Sequence, residues 1–263
     1  MMGRAIKAEF RKFFTTRMWW GMAIPVFLLS AGMSALVAAT SNPQGNKELG
    51  IPPVPAIEAA NSVYTSGVGL GYLFTLCIGV LVIGSEYRHK TLSVTFLAVP
   101  KRVKVMLSKV VAILGIGSLY GVLFLIAAVG VGGTILAARG LPAFPDAGQL
   151  ARTLLLVLLA LGLWGLIGLG AGILIPNQVA ALLIMIGFAW IVEPIAGFAL
   201  SNFDWSKGIA RFFPSQATSA MLGNTPPPGA SLLSWWAGAL VLLAYAAVMA
   251  GIGSLLTIRR DVT

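Results

Sequence analysis

The chain has 263 residues, 58% of them hydrophobic and only 10% charged, with a mean hydropathy of +0.91. Soluble domains carry about 25% charged residues, so this chain has too little polar surface to stay in water. Its 18 Lys+Arg against 8 Asp+Glu give a net charge of +10, which on so apolar a chain reads as anchoring of membrane spans rather than nucleic-acid binding. The lone Cys77 excludes an intrachain disulfide, and the lone His89 argues against a multi-histidine metal site; no metal is expected.

Residues 2–18 pattern as an amphipathic helix. At 100° per residue, Met2, Ile6, Phe10, Phe13 and Phe14 share one arc, while Arg4, Lys7 and Arg11 cluster on the adjacent one. Such a helix lies in the headgroup plane with its aromatics in the acyl boundary. It serves either as a plain anchor or as a docking surface for a partner.

Six stretches are long and apolar enough to cross the roughly 30 Å hydrocarbon layer as helices. They run at Trp19–Thr40, Tyr64–Ser85, Lys109–Ala138, Thr153–Ile175, Val179–Leu200 and Leu232–Ile258. A signal peptide competes for the first, but that run exceeds the usual h-region of about 7–15 residues. Thirteen of the Lys and Arg residues fall at the N-terminus, between spans two and three, and at the C-terminus; five fall on the other side. The positive-inside rule then makes both termini cytoplasmic. The fold class expected is an all-α membrane protein of six transmembrane helices.

The connections are short. The outward segments 41–63 and 201–231 do not reach the roughly 50 residues of an independent domain. There is thus no room for a soluble catalytic domain, and no Ser–His–carboxylate constellation surrounds His89. The chain is not expected to be an enzyme.

Gly84-Ser-Glu-Tyr-Arg-His-Lys-Thr91 imitates a P-loop, but His89 stands where the second glycine belongs. Its side chain would block the approach of phosphate, and the stretch follows a membrane helix rather than a strand. Within the spans, Gly67/Gly71, Gly117/Gly121 and Gly168/Gly172 form GxxxG pairs, and Gly162, Gly165 and Gly168 recur every three. Small residues of this kind let membrane helices approach closely, in a sliding permease or in a static bundle alike.

Glu193 is the only charge deep in a span and is followed by Pro194. An ionised carboxylate there costs about 2.5–3.5 kcal/mol. At 1.5 Å per residue it lies about 21 Å into the layer. Either it faces protein or a water-filled path, with Pro194 kinking the helix, or the fifth span ends beside it.

The most informative stretch is Glu86-Tyr-Arg-His-Lys-Thr91, then Phe96-Leu-Ala-Val-Pro100-Lys-Arg102, then Lys109. It resembles the signature of type-2 ABC transporter permeases. Ala8-Glu-Phe-Arg-Lys-Phe-Phe-Thr-Thr-Arg-Met-Trp-Trp20 likewise resembles that family's N-terminal interface helix, with Glu9, Phe10, Arg11 and Phe13 as its candidate residues. The resemblance covers the whole chain, six spans with both termini inside being the family layout. One departure is Lys90, where many members carry Gly before the Thr.

The resemblance implies that 86–109 is a coupling loop resting in a cleft of a separate ATPase subunit. Glu86 and Arg88 would make charged contacts to that subunit, Thr91, Pro100 and Lys109 would bracket the loop, and Arg102 would anchor the following turn. The competing reading is that these charges merely flank a span. The resemblance further implies short re-entrant helices in 201–231, a path bordered by Glu193 and Pro194, and a second permease chain as homo- or heterodimer partner. No cofactor is expected on this chain; ATP and Mg would be bound by the partner. The implied function is export of an amphiphilic or hydrophobic cargo (drug, antibiotic, peptide or lipid) across a bacterial plasma membrane. The alternative is an ion-coupled secondary transporter using Glu193.

Overall fold

A computed structural model of the chain describes residues 2–42, 53–91, 102–201, 207–224 and 232–259. The elements are α1 (Met2–Thr15), α2 (Met18–Thr40), α3 (Ala56–Thr65), α4 (Val68–Arg88), α5 (Arg102–Ala138) and α6 (Ala147–Leu174). They continue as α7 (Gln178–Gly187), a π-helical turn (Phe188–Val192), α8 (Glu193–Ser201), α9 (Lys207–Ala210), α10 (Pro214–Leu222) and α11 (Trp235–Arg259). No strand occurs among the described residues.

The protein is a multi-pass membrane protein, all-helical among the described residues, with six helical stretches there long and apolar enough to span. These are Met18–Thr40, Ala56–Arg88, Val103–Ala138, Ala147–Leu174, Gln178–Leu200 and Trp235–Ile252. Three begin well before the sequence reading placed them, the fourth at Ala147 rather than Thr153. The second starts at Ala56 rather than Tyr64 and breaks at Ser66-Gly67, where Gly67 packs beside Phe124 and the Ser30 backbone. The third starts at Arg102 rather than Lys109, because the basic turn ahead of the apolar run is itself helical.

Local chemistry fixes the other ends. Asp146 caps α6, its carboxylate accepting from the Gln149 amide at 3.0 Å. Ile175 is extended ahead of Pro176, as a residue before proline prefers. Asn177 then caps α7 by accepting from the Val179 and Ala180 amides. Pro194 has no amide to donate to the carbonyl four residues back, and the ladder ahead of it re-registers as the π turn. The helical path therefore continues past Glu193 to Ser201.

The fourth span, α6, is the centre of the bundle, with α4, α5 and α11 packed around it. Its approach to α4 depends on missing side chains. A Cβ on Gly168 would run into the Leu76 backbone, and one on Gly79 into the Gly165 carbonyl. The glycine pattern thus serves close packing, and Gly79, outside any of the spacings singled out, is part of it. Hydroxyls stitch α2 to α5 along one line: Ser30 donates to the Phe124 carbonyl at 2.8 Å and Ser34 to the Ala128 carbonyl at 2.7 Å. Segment 201–231 holds α9 and α10 among its described residues.

Candidate functional site: a buried charge cluster where three helices meet

Three segments converge at the end of the bundle where α4 finishes and α5 begins. Glu9 comes from α1, Glu86 from the last turn of α4, and Lys109 from the second turn of α5. Lys109 Nζ donates to Glu86 Oε1 at 2.6 Å and to Glu9 Oε2 at 2.9 Å. Lys12, one turn beyond Glu9, donates to Glu9 Oε1 and to Glu86 Oε1, each at 3.0 Å. Two carboxylates and two ammoniums therefore alternate and balance.

The Lys109 side chain is 0% exposed and the two carboxylates 6% and 7%, while that of Lys12 is 48% exposed. Charges this deeply buried persist only when paired, so the cluster commits α1 to one position against α4 and α5. Burial pulls the Lys12 ammonium toward its neutral form, but the adjacent Glu86 and Glu9 carboxylates outweigh that and raise its pKa above 10.5. Glu86 Oε2 is buried without a hydrogen-bond partner among the described residues.

The apolar side of α1 completes the joint. Phe13 is buried and meets Tyr120 edge-on with ring centroids 6.1 Å apart, while Phe10 packs over Gly115. Tyr120 in turn donates its hydroxyl to the Trp19 carbonyl. The single apolar arc expected of α1 is thus divided. Phe10 and Phe13 hold the helix to α5, whereas Met2 and Phe14 stay outward.

Glu9, Glu86 and Lys109, singled out on separate stretches of sequence, are brought together. Lys12 was missed; its spacing of three from Glu9 was the available signal. Arg11 and Arg88 are exposed, as is Thr91. Glu86 differs from the expectation that it faces a partner subunit: its carboxylate turns inward to the two lysines. Pro100 lies outside the described residues, as does the side chain of Arg102, whose backbone opens α5. Lys90, the departure from the family pattern, has φ +53°, the left-handed region that favours glycine.

At the other end of the bundle, Glu193 is 2% exposed. Its Oε1 accepts from both the amide and the hydroxyl of Ser215, each at 2.6 Å. Ser215 is in the first turn of α10, so Glu193 caps that helix from across the chain. Ser215 also lines a crevice of about 370 Å³ with Ser62, Thr65, Tyr72, Thr218 and Asn224. Trp164 stacks on Tyr72 at 4.0 Å and donates its indole N–H to Thr218 at 2.9 Å, fixing the crevice wall to α6. Pro194 is exposed. Among the described residues no three His, Cys, Asp or Glu side chains converge as metal ligands would.

Neither a scan against protein-family models nor a search of curated proteins finds a match for this chain.

Proposed function

We propose that this chain is the transmembrane permease subunit of an ATP-driven exporter of the type-2 ABC class. The observation that carries the reading is the joint between α1, α4 and α5. The two segments that resemble the family signature, the interface helix and the stretch from Glu86 to Lys109, are tied by Lys109 and Lys12 at one end of the bundle. A force applied to the loop between α4 and α5 would pass through paired buried charges into α1 and both spans. In this reading Glu86 and Lys109 position the loop, and the exposed Arg88 and Thr91 are offered to a separate ATPase. That partner binds ATP and Mg and supplies the hydrolysis.

The thirteen Lys and Arg residues that the sequence carries at the N-terminus, between spans two and three, and at the C-terminus support a cytoplasmic location for this end and for both termini, in a bacterial plasma membrane. A second permease copy or a related chain would complete the path. The crevice beside Ser215, with its hydroxyls set among apolar spans, suits an amphiphilic cargo.

The test is transport in proteoliposomes holding this chain with its ATPase. Cargo movement should require ATP and survive collapse of ion gradients. Movement that survives ATP depletion and fails with an ionophore would replace this reading with ion-coupled transport through Glu193. A cysteine at Arg88, with Cys77→Ser, should cross-link to the ATPase, and no cross-link would remove the docking role.

A further inference from the structure

One face of α1 touches the joint just described only through Lys12. Arg4, Lys7 and Arg11 recur at intervals of three and four, so they form one stripe, and with Ala8, Lys12 and Thr15 they line a groove of about 550 Å³. None of the three cations of the stripe forms an ion pair among the described residues. The only carboxylate on this helix, Glu9, is buried on the other side and consumed by Lys12 and Lys109. Among the described residues the groove is therefore a concentrated positive surface with no carboxylate paired to the three cations.

Phe14 follows Arg11 by three residues and Lys7 by seven, on the neighbouring arc of α1. Phe14 is 42% exposed and leans on Trp19, ring centroids 6.1 Å apart, and Trp19 and Trp20 are themselves exposed where the first span begins. Exposed tryptophans at the start of a span sit at headgroup depth. The cations of α1 thus stand beside a ring layer that marks the level of lipid phosphates.

We infer that the outward face of α1 is a seat for anionic phospholipid headgroups, with Arg4, Lys7 and Arg11 holding the phosphate and Phe14 and Trp19 against the upper acyl chain. Guanidinium groups suit this because their planar donor pairs match phosphate oxygens. Lys12 forms one wall of the seat and also donates to Glu86, so an occupied seat lies one side chain from the end of α4. The inference needs only a membrane-spanning chain and stands whether or not the permease reading does.

The experiment uses the full chain, delipidated in detergent and given phosphatidylglycerol or phosphatidylcholine, with bound lipid counted by native mass spectrometry. The chain should retain phosphatidylglycerol over phosphatidylcholine. The triple substitution Arg4→Gln, Lys7→Gln, Arg11→Gln should weaken that retention about a hundredfold, as three juxtamembrane cations imply. A Lys7→Arg control should keep it. Because the three side chains are exposed and unpaired, the thermal midpoint of the triple variant should match the parent.

Equal retention of the two lipids overturns the inference, as does unchanged retention in the triple variant. Displacement of phosphatidylglycerol by millimolar inorganic phosphate would show a site for free phosphate instead. Loss of ATPase co-purification in the triple variant with lipid preference intact would show an acidic protein partner on this face.

Discussion

Lys109 and Glu86 are 23 residues apart in sequence and meet at 2.6 Å, Nζ to Oε1, in the deepest part of the α1–α4–α5 joint. Removing one member of a buried ion pair leaves the other uncompensated, at a cost of about 3–5 kcal/mol. Lys109→Met should lower the thermal midpoint of the solubilised protein accordingly. Adding Glu86→Gln should recover part of that loss, since the stranded carboxylate is then gone. Equal midpoints for parent and Lys109→Met would show that the pair carries no stability.

Lys12 contributes to the attachment of α1 up to high pH. Its folded pKa lies above the ordinary 10.5, so its contribution is fully present below about 10.5 and is lost as pH rises through the higher folded value. A spin label on Ala8→Cys, in a Cys77→Ser background, should keep one mobility from about pH 6 to about pH 10, below the ordinary lysine pKa. It should loosen only in stronger alkali. Loosening near neutrality would show that Lys12 does not govern the attachment.

Lys90 holds a left-handed backbone just after α4. Glycine reaches that conformation without a Cβ penalty, and the left-handed form costs other residues about 1–2 kcal/mol. Lys90→Gly should therefore leave stability unchanged or raise it by up to about 1 kcal/mol, whereas Lys90→Val should lower it. Paired thermal melts of the two variants check the sign.

Glu193 and Ser215 make a separable prediction. Glu193→Ala removes the acceptor at the start of α10 and should cost about 1–2 kcal/mol, in the range of a lost helix cap. Hydrogen exchange at the first amides of α10 should quicken. Glu193→Gln keeps a carbonyl oxygen and should lose less. Exchange in Glu193→Ala as slow as in the parent would show that the carboxylate does not cap the helix.

Glycines of one composition divide by location. Gly168→Ala forces a Cβ into the Leu76 backbone and should destabilise by about 1–3 kcal/mol. At Gly130, on α5, a Cβ meets nothing within 4 Å, so Gly130→Ala should stabilise by about 0.5–1 kcal/mol. Melting curves of the two variants should move in opposite directions.

The six spans and the amphipathic α1 were legible in the residues alone, because each depends on neighbours within a few turns of one helix. Apolar length decides a span, whatever the rest of the chain does. Partners were not legible in this way. Glu86 stands 74 residues from Lys12, and Glu9 stands 100 from Lys109. Their meeting depends on how α1, α4 and α5 pack, as does the capping of α10 by Glu193 and the seating of Gly79 against Gly165. Local periodicity tells which face of a helix is apolar; only the packed bundle decides which charge or carbonyl that face finds opposite.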